Sequence, residues 1–265
     1  MSPMIRTRAP AVAGRFYPSN PRELRTLVRQ LLAAVPGCDA APPKALIAPH
    51  AGYVYSGPVA ASAYARLTRA PNRIRRVVLL GPSHQVGFRG LAAPGTHRYA
   101  TPLGEIPVDQ GALDCVLSLP QVAERERAHA GEHALEVQLP FLQELLGPFQ
   151  LMPFVVGDAS AAEVAEVLDV LWGGPETLIV VSSDLSHYHD YQTARRLDTA
   201  TSRAIEALAP EKIQYEQACG RAPINGLLTA ARQGGLKVET VDQRNSGDIA
   251  GPCDRVVGYG AYAFH

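Results

Sequence analysis

Three apolar runs in this chain each lead into a histidine. Ala45-Leu46-Ile47-Ala48-Pro49 runs into His50, Val77-Val78-Leu79-Leu80-Gly81-Pro82-Ser83 into His84, and Leu178-Ile179-Val180-Val181-Ser182-Ser183-Asp184-Leu185-Ser186 into His187. Short apolar runs bounded by Pro, Gly and Ser read as buried strands of a parallel sheet. Ligands of open α/β sheets bind beyond the carboxyl ends of such strands. Imidazoles delivered to one rim suit metal ligation or proton transfer. His50 or His84 alone fits equally a histidine hydrogen-bonded in a turn. It is the repeated strand-then-proline context that brings the metal or acid–base reading forward.

Other residues extend this set. Asp184 stands close enough to His187 to orient it and raise its basicity, which would make His187 a proton acceptor; otherwise Asp184 caps the next helix. Cys219, followed by Gly220 and Arg221, is either a thiolate stabilised by a neighbouring charge or a small buried hydrophobe. His129 and His133 are four apart, which on a helix places both on one face as a candidate metal pair, although Gly131 between them weakens that helix and ranks the pair below His50 and His84. With Glu132 and Glu136, His133 reads as a pocket-lining residue. Tyr17, Tyr53, Tyr55 and Tyr188 read as pocket walls or as core tyrosines with bonded hydroxyls.

The elements that must position these residues follow from hydrophobic spacing. Asn20 caps a helix in which Pro21 takes the first position and Leu24, Leu27, Val28, Leu31, Leu32 and Val35 share a face. Strands are predicted at 45–48, 77–80, 151–156 and 178–181, with closing strands at 236–241 and 256–264. Helices are predicted from about Pro58 to Leu67, over 109–119, over 132–146 with a bend at Pro140, after the capping box Ser160-Ala161-Ala162-Glu163, and from about Thr193 to Leu208. Residues 85–108 read as loops and short antiparallel strands, and two short helices are expected to bracket Cys219 and Pro223. Strands alternating with helices predict one α/β domain over 1–265, with a mixed, mostly parallel central sheet and helices on both faces.

Composition bounds the class. The chain has 265 residues and a formal net charge of zero, long enough to bury roughly 70% of its unfolded surface and without the basic footprint of a nucleic-acid binder. No apolar run approaches the ~18 residues that cross a bilayer, and the N-terminus shows no apolar leader. The cysteines Cys38, Cys115, Cys219 and Cys253 form no C-x-x-C pair. A cytoplasmic, reducing setting is expected.

Taken together and in order, several segments resemble the Memo family. They are Pro10-Ala11-Val12-Ala13-Gly14-Arg15-Phe16-Tyr17-Pro18, Ala48-Pro49-His50-Ala51-Gly52-Tyr53, Leu80-Gly81-Pro82-Ser83-His84, Glu132-His133-Ala134-Leu135-Glu136-Val137-Gln138-Leu139-Pro140-Phe141, Ser182-Ser183-Asp184-Leu185-Ser186-His187, Cys219-Gly220-Arg221 and Val257-Gly258-Tyr259-Gly260-Ala261. The prokaryotic branch it looks like is protein B of the AmmeMemoRadiSam system, which implies a functional link to Ammecr-type and radical SAM proteins. The resemblance implies a class III extradiol dioxygenase-like fold. It also implies one metal ion, iron or copper with zinc as an alternative, on His50, His84 and Cys219, with His187 where those dioxygenases keep their base. A thiolate in place of their carboxylate softens the donor set, which suits copper or zinc and tolerates iron. Three protein ligands with an open position mark a catalytic metal. The expected function is therefore a metal-dependent oxidoreductase acting on a small molecule, Asp184 and His187 moving protons. Two alternatives are a peptide- or ligand-binding module that uses Arg221 and the loop after His50, and a zinc hydrolase.

Overall fold

The computed structural model describes residues 5–37, 40–68 and 73–265. Cys38 lies outside the described residues. In chain order the strands among them are β1 (Thr7–Arg8), β2 (Ala45–Ala48), β3 (Arg76–Pro82), β4 (Leu91–Ala93), β5 (Arg98–Thr101), β6 (Gly104–Pro107), β7 (Val122–Glu124), β8 (Gln150–Val156), β9 (Thr177–Ser182), β10 (His187–His189), β11 (Val238–Asn245) and β12 (Val256–Phe264). The runs that read as buried strands form the centre of the main sheet, in the order β2-β9-β3-β8, all parallel. Their apolar side chains, from Leu46 and Ile47 through Val77–Leu80 to Val180 and Val181, are fully buried. Each contributes roughly 1.5–3 kcal/mol by leaving water. Both faces of the sheet carry helices.

The flanks of this α/β sheet are antiparallel. β12 pairs with β2 and carries β10 and β11, while β4 pairs with β8 on the other side and carries β7 in parallel. A second, small sheet has the order β1-β5-β6; there β1 is parallel to β5, and the β5–β6 hairpin is antiparallel.

Several helices differ from their expected bounds. The helix expected from Pro58 begins at Tyr53 and holds Pro58 inside it. Gly57 lets that helix lie against Leu31, since a Cβ there would come within 2.9 Å of that side chain. The helix expected over 132–146 forms only as a short turn at Glu136–Gln138 and a helix over Leu139–Leu146, with Pro140 in its first turn, where a missing N–H costs nothing. Of the two short helices expected about Cys219 and Pro223, the first is a short helical turn at Tyr215–Gln217 and the second is one long helix, Arg221–Gln233, again with Pro223 in the first turn. The helix expected from Thr193 starts at Tyr191, capped by Asp190. Among the described residues no helix is long and apolar enough to cross a membrane.

Candidate metal centre

His50, His84 and Asp184 follow the carboxyl ends of β2, β3 and β9, and because those three strands are parallel neighbours their loops open at one rim. His50 is nearly inaccessible at 2% exposure. Its backbone N–H donates to Asp184 Oδ1 at 2.7 Å and its ring Nδ1 lies 2.9 Å from Ser182 Oγ. The Ser182 hydroxyl donates to the Ala134 carbonyl at 2.6 Å and accepts from Gln138 Nε2 at 2.8 Å. Its proton is thus committed, so Nδ1 of His50 must be the donor and Nε2 carries the lone pair.

Glu132 imposes the same tautomer on a second ring. The His84 amide donates to its Oε2 at 2.7 Å, and His84 Nδ1 bonds Oε1 at 2.8 Å. A carboxylate accepts, so His84 keeps its proton on Nδ1 and presents Nε2. His133 Nδ1 stands 3.3 Å from the same Oε1. The ring centroids lie 5.2 Å apart for His50–His84, 5.4 Å for His50–His133 and 4.5 Å for His84–His133. One nitrogen from each of the three falls within 4.8 Å of the others, a group that can hold a metal ion. Carboxylate-anchored imidazoles of this kind are the usual outer support of a metal site.

Electrostatics keep the rings ready to ligate. Burial, then the neighbouring imidazoles of His84 and His133, hold His50 well below the ordinary histidine range. Burial also lowers His133, against the opposing charge of Glu132. Burial would raise Glu132, but the bond to His84, its charge and the amides of Ala134 and His84 outweigh it, bringing the carboxyl to about 2. The result is two imidazoles of depressed basicity, His50 and His133, beside a carboxylate that stays ionised.

Cys219 joins this group from the loop before helix Arg221–Gln233. Its Sγ lies 3.3 Å from His50 Nε2, 3.6 Å from the Asp184 carbonyl and 3.8 Å from Ser183 Oγ, but it is not among the three atoms that share the 4.8 Å group. Gly220 permits the approach, since a Cβ there would sit 2.6 Å from the Ser183 side chain. Burial, then the Asp184 charge, raises the thiol to about 12, so it keeps its proton at neutral pH unless a cation replaces it.

The remaining sequence-selected residues separate into two groups. His187, Cys219, Arg221 and His84 line a cleft of about 850 Å³ together with Tyr188 and Tyr215. His187 Nδ1 donates to the Leu185 carbonyl at 2.8 Å, which leaves Nε2 free. Asp184 turns to His50 instead of to His187, with Oδ2 3.9 Å from His50 Nε2. Glu136, Tyr17 and Tyr53, in contrast, are engaged in packing. Glu136 is fully buried, paired with Arg8 at 2.8 Å, and accepts the Tyr17 hydroxyl at 2.6 Å; the Tyr53 hydroxyl donates to the Val137 carbonyl at 2.6 Å. The shared helical face expected for His129 and His133 does not form, because the helix Glu126–Ala130 ends at Gly131. Ser182, Gln138 and Arg8 escaped the sequence reading; their partners lie 44 to 132 residues away along the chain.

Similarity searches agree with this architecture. The family model described as Memo-like protein matches residues 8–263. A MEMO1 family protein of Aquifex aeolicus is 36% identical over 266 residues, covering 96% of this chain and 98% of that one. Another, from Methanococcoides burtonii, is 38% identical over 269 residues, again covering 96% and 98%. Among solved structures, the uncharacterized protein JW3007 from Escherichia coli K12 aligns with a TM-score of 0.52 at 12% identity, covering 81% of this chain and 98% of that chain, a likeness of fold alone. With the family model spanning nearly its full length and relatives this similar over theirs, the chain belongs to the Memo family.

Proposed function

We propose that this protein is a metal-dependent oxidoreductase acting on a small organic molecule. Its ion would be held by His50 and His84, with His133 as third imidazole and the Cys219 sulfur as a further donor. The observation that carries this reading is the sulfur 3.3 Å from His50 Nε2 beside a group of three imidazoles. Donors at roughly 2.0 Å (nitrogen) and 2.3 Å (sulfur) from one tetrahedral ion stand only a little farther apart than that. A soft sulfur among imidazoles suits copper or zinc and tolerates iron; the choice of iron or copper follows the resemblance to class III extradiol dioxygenases. A bound ion would supply positive charge and, where three of these four donors hold it, an open coordination position.

The chain's own residues do the rest. The cleft of about 850 Å³ is large enough for a small substrate. His187, fixed through Nδ1, offers Nε2 as a proton acceptor toward that cleft. Arg221 adds a positive charge to the same wall. A cytoplasmic setting, in which the thiol stays reduced, and a functional link to Ammecr-type and radical SAM proteins belong to the same proposal.

Anaerobic purification with element analysis tests the reading. Iron or copper near one per chain, and oxygen uptake with small phenols, are expected; protein that takes up neither metal on titration would overturn it. Calorimetric titration in buffers of differing ionisation enthalpy tests the sulfur. About one proton should leave per ion bound, because the thiol must ionise whereas burial holds His50 and His133 below the ordinary histidine range. No proton release would remove Cys219 from the donor set. A second reading, zinc-dependent hydrolysis, is favoured by the three-imidazole group, a donor set that zinc also accepts. Activity with zinc alone and without oxygen would select it.

A further inference from the structure

The N-terminal segment wraps the stretch that carries Glu132 and His133. Arg8, in β1 and 4% exposed, extends its guanidinium into that stretch. Its Nε donates to the His129 carbonyl at 2.7 Å, Nη2 to the Glu132 carbonyl at 2.6 Å, and Nη1 to Glu136 Oε2 at 2.8 Å. The Tyr99 ring lies beneath the guanidinium at 5.2 Å. One rigid planar group therefore ties both ends of the turn 129–132 to the carboxylate of the next turn. The segment behind it completes the wrap. The Ala11 and Val12 amides donate to Glu136 at 2.7 and 3.0 Å, and the Phe16 ring lies 4.9 Å from the His133 ring.

Beyond the helix Glu126–Ala130 this stretch has no regular structure of its own. Glu132 and His133 lie between the helix Glu126–Ala130 and the short turn at Glu136. A side chain on such a backbone holds its aim only if the backbone is fixed from outside. Arg8 supplies that fixation at the carbonyl of Glu132 itself. We propose that Arg8 is a positioning residue for the metal centre, acting through the 129–132 backbone to aim His133 at the cluster. The proposal rests on the reading that His50, His84 and His133 hold an ion.

A double-mutant cycle read by cobalt(II) affinity tests it in the full-length protein. Arg8→Met is expected to weaken cobalt(II) binding roughly tenfold, the lower end of the range for residues that orient ligands, and to alter the cobalt absorption spectrum. In a His133→Ala background the same change should cost less than about threefold, because the imidazole it aims is gone. An equal loss in both backgrounds would mean a general structural role and overturn the proposal, as would no loss with His133 present. Should Arg8→Met fail to fold, Arg8→Lys serves in the same cycle. It keeps a charge facing Glu136 but lacks the planar fork that spans two carbonyls. Wild-type protein that takes no cobalt(II) would sink the metal reading and this role with it; wild-type binding without coupling in the cycle would sink the role of Arg8 alone.

Discussion

His129 and His133 stand four residues apart in one sequence motif and meet opposite fates. His129 is 1% exposed and has both nitrogens engaged. Nε2 donates to the Ala92 carbonyl at 2.9 Å, and Nδ1 accepts the Tyr99 hydroxyl at 2.6 Å. His133 has one nitrogen near Glu132 and the other left for the cluster. Burial lowers both rings, His129 to about 4. Depressed basicity alone therefore does not mark a ligand. The distinction is the count of unengaged nitrogens: an imidazole with both satisfied is a strut, and one held at a single nitrogen is a tool.

The largest expected break in this comparison is on metal affinity. His84→Ala removes one of three imidazoles. Binding free energies of roughly 10–16 kcal/mol shared among about four donors put each at roughly 2.5–4 kcal/mol, or about 10²–10³ in affinity. His129→Gln should leave cobalt(II) affinity within about threefold, the scatter of a distant change. Equal losses in the two variants, measured by competition with a chelating indicator, would erase the distinction between strut and tool.

Acid stability should separate the two histidines in the reverse sense. His129 has a folded pKa of about 4 because of burial, against an ordinary value of 6.5. On acidification the unfolded chain takes up this proton first. The contribution of His129 is thus whole above about pH 6.5 and is lost as pH falls toward 4, a loss of roughly 3 kcal/mol at about 1.4 kcal/mol per pH step. Denaturant unfolding of metal-free protein at pH 7, 5.5 and 4.5 reads it. His129→Gln should flatten the slope by most of that amount; His133→Ala should flatten it less, being less buried. A slope unchanged in His129→Gln would show that this ring does not control acid stability.

The chain discloses its core and hides its cross-links. Strands β2, β3, β8 and β9 are legible because a strand buried on both faces must be apolar at nearly every position. His50 and His84 are legible for the same reason, since where such strands end is where ligands bind. The antiparallel flanks are not, because β12 chooses β2 as its partner through topology and not through any local pattern. His133 reads as a pocket residue or as the partner of His129, not as the third imidazole beside His50 and His84, because its place depends on the helix stopping at Gly131. Asp184 reads as the partner of His187, three positions away, yet serves His50 from 134 positions away. Proximity along the chain is what a sequence displays, and buried hydrogen bonds ignore it.

Glu132 is where strut and tool meet, and its removal should give a smaller effect than loss of a ligand. Glu132→Gln keeps the shape but exchanges an acceptor-only carboxylate for an amide with one acceptor oxygen. That oxygen can serve the His84 amide or the His84 Nδ1, which now lie at 2.7 and 2.8 Å from separate oxygens, but not both in the present geometry. The His84 ring loses its anchor and its fixed tautomer, and His133 loses the neighbouring charge. A loss of roughly 10–100-fold in cobalt(II) affinity is expected, the range for a carboxylate behind a ligating imidazole. The proton balance should change as well. The negative charge of Glu132 raises His133 against burial, so with that charge gone His133 should protonate at lower pH, and affinity should hold better on acidification even as it falls overall. A Glu132→Gln variant with undiminished affinity would show that the carboxylate fills space without aiming the rings. One with the loss but an unshifted pH profile would leave its anchoring role and remove its electrostatic one.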